Sequence, residues 1–279
     1  MRLPGGYWDG FERHRGFAFR SITGAVELAI AEAAASDTAL PRKVTVVLTA
    51  ALDHLGSEPA SVDRVHHLAV GDRQFLMRRL AHRLGTAANW LTASCRKCGS
   101  PFDLFVDQSD LPTKEAGDTF PYATVDTRLG RCRVRVPTGA DQEATASIGD
   151  DRAAVHALAR RCVVEIDDDD EAMELGEEDI ARIDAALEAV APEVTTVADT
   201  ACPDCAHVNH VYVDPYACLT TGCDALFDEI HQLATTYHWA EQEILGLPRD
   251  RRRTYLQRID RGWGTAQALE EVESLETWE

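Results

Sequence analysis

An α+β fold, mainly helical with a small β-rich region, is the class this sequence predicts. Apolar residues recur at helical spacing through most of its 279 residues, while alternation of period two is confined to a central stretch and to short segments behind two C-x-x-C pairs. A hydrophobic content of 45% places the chain among globular proteins, and its length suits one or two domains with a real core.

Residues 1–20 are rich in Gly, Arg and aromatics (Tyr7, Trp8, Phe11, Phe17, Phe19), which suits either an arm that packs on another surface or a frayed terminus. Thr23 can cap a helix over Gly24–Ala35, with Glu27 near its start where the dipole favours an acid. Pro41 closes the following connection, and Val44, Val47, Leu48, Ala51, Leu52 and Leu55 then predict a core helix up to Gly56. With Asp72 as its cap, a long amphipathic helix follows, presenting Leu76, Leu80, Leu84, Ala87 and Leu91 on one face.

At Ser94 the period becomes strand-like, and Phe102–Asp107 reads as a strand closing at Asp110–Pro112. Tyr122–Asp126 and Arg131–Val136 suggest a hairpin about Leu129–Gly130, cationic on one face and buried on the other. Helices are expected from Asp151 (Val155, Leu158, Ala159, Cys162), over Glu177–Val190, along Leu226–Tyr237, over Glu241–Leu245, and after Pro248. The last carries Tyr255, Leu256 and Ile259 on its apolar side and is expected to expose Arg249, Arg251, Arg252, Arg253, Arg258 and Arg261. The resulting organisation is an N-terminal arm (1–20), a helical part (21–93), a first knuckle and hairpin (94–150), a helical part with an acidic loop (151–200), a second knuckle with C-terminal helices (201–263) and an acidic tail (264–279).

The knuckles carry the chemistry. Cys95-Arg-Lys-Cys98 and Cys202-Pro-Asp-Cys205 are related by a shift of 107 residues, which also aligns Leu104 with Val211, Phe105 with Tyr212, Val106 with Val213 and Asp107 with Asp214. Each unit is a tight turn bearing two thiols followed by a strand, and two such turns complete a tetrahedral four-sulfur zinc site. Cys95, Cys98, Cys202 and Cys205 are therefore the expected ligands of a structural zinc, closing a loop of about a hundred residues. Rival readings are a dithiol redox pair, for which one C-x-x-C would suffice, and turns that have lost their metal. His207 or His210 could replace one thiol, though the repeat favours the Cys set. Cys132 and Cys162 read as core residues, and Cys218 with Cys223 as a weaker second thiol pair.

The net charge is −19, unevenly spread: Glu165 to Pro248 holds 21 Asp and Glu against the single Arg182, and the rest of the chain is near neutral. That balance argues against broad phosphate-backbone binding. Glu165–Glu174 reads as a solvated loop, with a divalent-cation site as the sharper alternative. His66-His67 reads as structural. No nucleophile elbow, phosphate loop, H-E-x-x-H motif or pair of catalytic carboxylates is recognisable, no apolar run is long enough to span a membrane, and the start lacks a secretory signal, so a cytoplasmic, non-enzymatic protein is expected.

Several stretches together resemble a known family: Phe19-Arg-Ser-Ile-Thr-Gly24, Leu40-Pro-Arg-Lys-Val44, Leu68-Ala-Val-Gly-Asp-Arg73, both C-x-x-C units with their strands, Tyr237-His-Trp-Ala-Glu-Gln-Glu-Ile-Leu-Gly-Leu-Pro248 and Arg251-Arg-Arg-Thr-Tyr-Leu256. In order and spacing, over roughly residues 15 to 260, they resemble the T-even-type baseplate hub proteins, or baseplate hub assembly chaperones, of contractile phage tails and contractile injection systems. Arg2–Gly16 and Asp167–Asp170 depart from that pattern. The resemblance implies a non-catalytic baseplate component whose partners are other baseplate, hub or spike, and tail-tube or sheath-end proteins. The contrasting classes are a zinc-ribbon module acting on nucleic acid and a thiol oxidoreductase.

Overall fold

The computed structural model describes residues 1–8, 10–167, 175–220 and 222–261. In chain order the elements are β1 (Arg2–Trp8), β2 (Arg13–Phe19), α1 (Gly24–Ala35), α2 (Leu40–Ala51), β3 (Leu52–Leu55), β4 (Glu58–Pro59), α3 (Val62–His66), α4 (Val70–Leu84), β5 (Ala88–Ser94) and β6 (Pro101–Asp107). After a 3-10 turn come β7 (Thr113–Lys114), β8 (Tyr122–Thr127), β9 (Gly130–Arg135), α5 (Gly139–Thr145), α6 (Asp151–Cys162), β10 (Val163–Ile166) and α7 (Glu177–Val190). Then follow β11 (Glu193–Val194), β12 (Val197–Ala201), β13 (Val208–Tyr212), α8 (Asp224–Tyr237), α9 (Glu241–Gly246) and α10, residues 249–261. Helix and sheet are thus mixed along the chain, which divides into two compact units: Met1–Arg20 with Ser36–Thr220, and Ser21–Ala35 with the residues from Thr221 onward.

In the larger unit, β1 to β4 form one antiparallel sheet in chain order, so the Gly-rich and aromatic start of the chain is a hairpin built into the fold. Leu3, Phe17 and Phe19 are buried, and Phe17 meets Phe75 of α4 edge to face. Helix α4 is the central core element. Leu76, Met77, Leu80 and Ala81 are almost fully buried, each large one removing a side chain from water at roughly 1.5–3 kcal/mol.

Pro41 lies in the first turn of α2, where its missing N–H costs nothing, so the preceding connection closes there as expected. Three other expected boundaries are corrected. The same helix stops at Ala51, because 52–55 leave it to pair with β2. Asp72 is not a cap: α4 begins at Val70, and the Asp72 carboxylate is buried, accepting the N–H groups of Gly5 (2.7 Å) and Gly6 (2.8 Å). Gly5 has to be glycine here, since a Cβ would fall 2.4 Å from Asp72 Oδ2. Helix α4 also ends earlier than its apolar period suggests. Gly85 takes a left-handed conformation (φ 69°), and Leu91 lies on β5.

A second core lies against the β8–β9 hairpin. Cys132, Val134 and Val136 pack with Ala159, Cys162, Ile183 and Leu187 of α6 and α7, so Cys132 and Cys162 are core residues. Buried carboxylates tie these elements together. Asp141 accepts from Arg135, Arg161 and Thr138, while Asp179 accepts from the side chain and N–H of Arg128 and from Gly176 N–H.

In the smaller unit α1, α8, α9 and α10 pack around Leu226, Ile230, Leu233, Ile244 and Ile259. Tyr237, Trp239 and Tyr255 cluster with centroid separations of 4.9 to 5.7 Å. Here the expected row of exposed arginines is corrected. Arg252 is fully buried, pairing with Glu27 (2.6 Å) and Glu229 (3.0 Å) and donating to Leu247 O. Arg249 lies 3.6 Å from Glu27 and is largely covered, whereas Arg251, Arg253 and Arg258 are exposed. The acidic residues 168–174 and the tail 264–279 lie outside the described residues. No described helix is long and apolar enough to cross a membrane.

Candidate metal centre

The two thiol pairs sit at the tips of two antiparallel hairpins, β5–β6 and β12–β13. The hairpins repeat strand for strand. Trp90↔Phe105, Leu91↔Leu104, Thr92↔Asp103, Ala93↔Phe102 and Ser94↔Pro101 in the first become, 107 residues on, Val197↔Tyr212, Ala198↔Val211, Asp199↔His210, Thr200↔Asn209 and Ala201↔Val208. The repeat therefore begins before the cysteines, in the segment whose apolar spacing reads as the end of α4.

The turns match too. Cys95 N–H donates to Ser100 O and Gly99 N–H to Cys95 O; Cys202 N–H donates to His207 O and Ala206 N–H to Cys202 O, all at 2.9 Å. This folds each C-x-x-C so that both sulfurs leave the same side of the turn. Beneath them, Phe102, Leu104, Val106 and Val213 form a small core with Cys95 and Cys202.

All four Sγ atoms lie within 4.8 Å of one another. Thiolates held tetrahedrally at the usual zinc–sulfur distance of about 2.3 Å stand roughly 3.8 Å apart. Cys95 to Cys205 and Cys98 to Cys202 are each 3.7 Å, and the relation that carries Cys95 onto Cys202 carries Cys205 onto Cys98, so a pseudo-twofold requires these two separations to match. Such separations are far beyond a disulfide bond, and all eight cysteines are free thiols. The quartet fits one tetrahedral ion and leaves no ligand position open.

The electrostatics point the same way. Backbone N–H donation from Cys98, then from Lys97, together with contacts to the Cys98 and Asn209 side chains, outweighs desolvation and pushes the Cys95 thiol down to about 6. Cys205 moves the opposite way, to about 12: the N–H of His207 favours its thiolate, but desolvation and the three neighbouring thiols oppose a second negative charge. Without a cation the set therefore keeps a proton on Cys205, and four thiolates at this spacing would need a cation among them.

One contributor is not apparent from the motif. Asn209, almost fully buried, accepts the Arg96 N–H (3.0 Å) and points its amide at Cys95 Sγ (3.7 Å), while donating to His207 O (2.9 Å). Its counterpart in the first hairpin is the core residue Phe102. The signal was present as a polar residue at an apolar position of the repeat. His207 lends only its backbone, and His210 is exposed and pairs with Asp199 (2.6 Å), so neither histidine joins the sulfurs. Of the remaining candidates, Cys218 is buried, burial pushing its thiol up to about 12, and Cys223 precedes α8. His66 Nε2 lies 3.3 Å from Glu143, and His67 Nδ1 lies 2.8 Å from Asp63 O.

No model of a known protein family matches this chain, and no curated protein or solved structure matches it.

Proposed function

We propose that this chain is a non-catalytic structural or assembly component of the baseplate hub of a contractile tail or contractile injection system, with its paired hairpins acting as zinc-ribbon-like knuckles stapled by one structural zinc. The observation that carries the zinc is the closed four-sulfur set, brought together from positions more than a hundred residues apart. A saturated thiolate site supplies rigidity and not Lewis-acid chemistry. The ordered stretches from Phe19 to Leu256 supply the assembly context, with neighbouring hub, spike, tube or sheath-end proteins as partners in a cytoplasmic particle.

Nucleic acid is a poorer partner, because the net charge is −19 and Arg252 is consumed by Glu27 and Glu229 within the fold. The arginines left for docking are Arg251, Arg253 and Arg258, which would meet an acidic neighbour. Two measurements test the proposal. Elemental analysis of purified protein should give one zinc per chain, with the four knuckle thiols resisting alkylation until chelator is added; iron, or four freely alkylated thiols, would refute the site. Co-expression with the baseplate, hub and tube proteins of a contractile tail should place the chain in assembling particles, and reversing Arg251, Arg253 and Arg258 to Glu should prevent incorporation while the protein stays folded. Normal incorporation of that variant would remove the docking role.

A further inference from the structure

Helices α6 and α7 flank an open cleft of about 760 Å³, floored by Val70 and Val136 and walled by apolar side chains of both helices. Val155 and Leu158 come from α6, and Ile180, Ile183 and Leu187 from α7. Val155 is 51% exposed, so the α6 face above the cleft is only half covered.

The rim has a different chemistry. It carries the carboxylates of Asp151, Glu177, Asp184, Glu188 and Glu193 against one guanidinium, Arg152, which already pairs with Glu177 at 2.6 Å, and beside it the Lys114 ammonium donates to the backbone carbonyl of Glu188 and not to its carboxylate. Among the described residues no ion pair engages the side chains of Asp184 or Glu188. Glu177, Asp184 and Glu188 are spaced i, i+7, i+11, which sets them along one side of α7 over roughly 16 Å. A small ligand with a single charged headgroup would satisfy one of these carboxylates. A stripe of that length calls for a partner presenting cations at a matching repeat beside an apolar strip.

We propose that this cleft is a docking groove for a basic amphipathic helix of another protein, laid between α6 and α7 with its apolar face on Val155, Ile180 and Leu187 and its Lys or Arg residues against Asp184 and Glu188. The helix-in-groove mode supplies affinity from apolar burial, and the acidic rim supplies orientation and on-rate.

The test uses the full chain and a fluorescent helical peptide of about 14 residues with a Leu stripe flanked by Lys. Comparison peptides are a scrambled sequence of the same composition and a Leu/Glu version. Fluorescence anisotropy should show saturable binding of the Leu/Lys helix that weakens with salt, at least tenfold stronger than either comparison. Val155→Asp, a change at a half-exposed site, should weaken it at least tenfold. The double variant Asp184→Lys, Glu188→Lys, both exposed, should reverse the preference toward the Leu/Glu peptide. Equal binding of the scrambled peptide, or unchanged affinity in both variants, would overturn the proposal. So would a wild-type dimer in sedimentation that Val155→Asp dissociates, because a second copy would then cover the groove.

Discussion

Ala206 occupies in the second C-x-x-C turn the position that Gly99 occupies in the first, and both are left-handed, with φ of 55° and 77°. Each donates its N–H to the carbonyl of the leading cysteine of its turn. The turn geometry is therefore imposed at both sites, and only one has the residue that adopts it without strain. An L-residue with a Cβ loses roughly 1–2 kcal/mol in this region, partly offset by the lower entropy of its unfolded chain. Ala206→Gly should raise the stability of the metal-loaded protein by about 0.5–1 kcal/mol. Gly99→Ala should lower it by a similar amount, since no atom within 4 Å would clash with the new Cβ and only backbone strain is introduced. Chemical denaturation of both variants checks this; stabilisation by Gly99→Ala would contradict the shared geometry.

The Asp72 carboxyl gives a distinctive pH signature. Burial dominates and pushes it up to about 6, against the downward pull of the Gly6 and Gly5 N–H groups and of Arg13 and Arg15. Because the folded value exceeds the ordinary carboxylate value, the folded state binds this proton more tightly than the unfolded chain. That contribution to stability is fully present below about pH 4 and is lost as pH rises through 6, amounting to about 3 kcal/mol. Asp141 and Asp179 act in the opposite sense. Burial tends to raise both, but Arg135 and Thr138 hold Asp141 far below the usual range, and Arg128 and the Gly176 N–H hold Asp179 at about 2. Their contribution is present above about pH 4 and fails only in stronger acid, so neither masks Asp72 between pH 5 and 7.5; the Cys95 thiol, pushed down to about 6, titrates in that window too but is common to wild type and an Asp72 variant. The stability of wild type relative to Asp72→Asn should therefore increase on going from pH 7.5 to pH 5. A pH-independent difference in urea denaturation would show that the carboxyl is not shifted.

The sulfur site was legible because its ligands carry their own spacing and a second copy of it. The strand preceding each thiol pair was less so. Leu91 continues the helical period of Leu76, Leu80 and Leu84, yet as a β5 residue it also alternates with Ala93 toward the small core under the sulfurs. One apolar residue satisfies both periods, and Gly85 was the local mark of the boundary. The fates of Asp72 and Arg252 were not legible, because each is fixed by groups distant in the chain. Asp72 meets Gly5 and Gly6, 67 and 66 residues away, and Arg252 meets Glu27, 225 residues away. A local charge count registers an arginine row and cannot show which member turns inward.

That inward turn has a measurable consequence. Arg252→Ala would remove the buried guanidinium that Glu27 and Glu229 share, leaving only the longer Arg249 contact to Glu27, at a cost of about 3–5 kcal/mol. Arg253→Glu, one residue on and exposed, should stay within about 0.5 kcal/mol of wild type. Thermal unfolding followed by circular dichroism should show a large loss for the first and almost none for the second. Equal behaviour of the two would mean that Arg252 is not the buried partner of these acids. The contrast also shows why a docking test on this helix must leave Arg252 in place.

Asn209 makes the sharpest distinction between holding the hairpin together and holding the sulfurs. Its side chain bonds the Arg96 N–H across the pseudo-twofold and approaches Cys95 Sγ, the thiol most disposed to ionise. Asn209→Leu replaces the amide by an apolar side chain of similar shape, so the contacts to Arg96 and Cys95 are lost with little change in the volume packed beneath the site. Outer-shell partners of metal ligands typically contribute 10- to 100-fold in affinity. Zinc transfer to a chromogenic chelator should accordingly become about 10-fold faster or more, while the four knuckle thiols stay protected before chelator is added. Thr200→Val, at the cross-strand neighbour of Asn209, serves as the control for a purely structural disturbance of the hairpin and should leave the transfer rate unchanged. If both variants release zinc at the wild-type rate, the amide of Asn209 belongs to the hairpin alone and not to the metal centre.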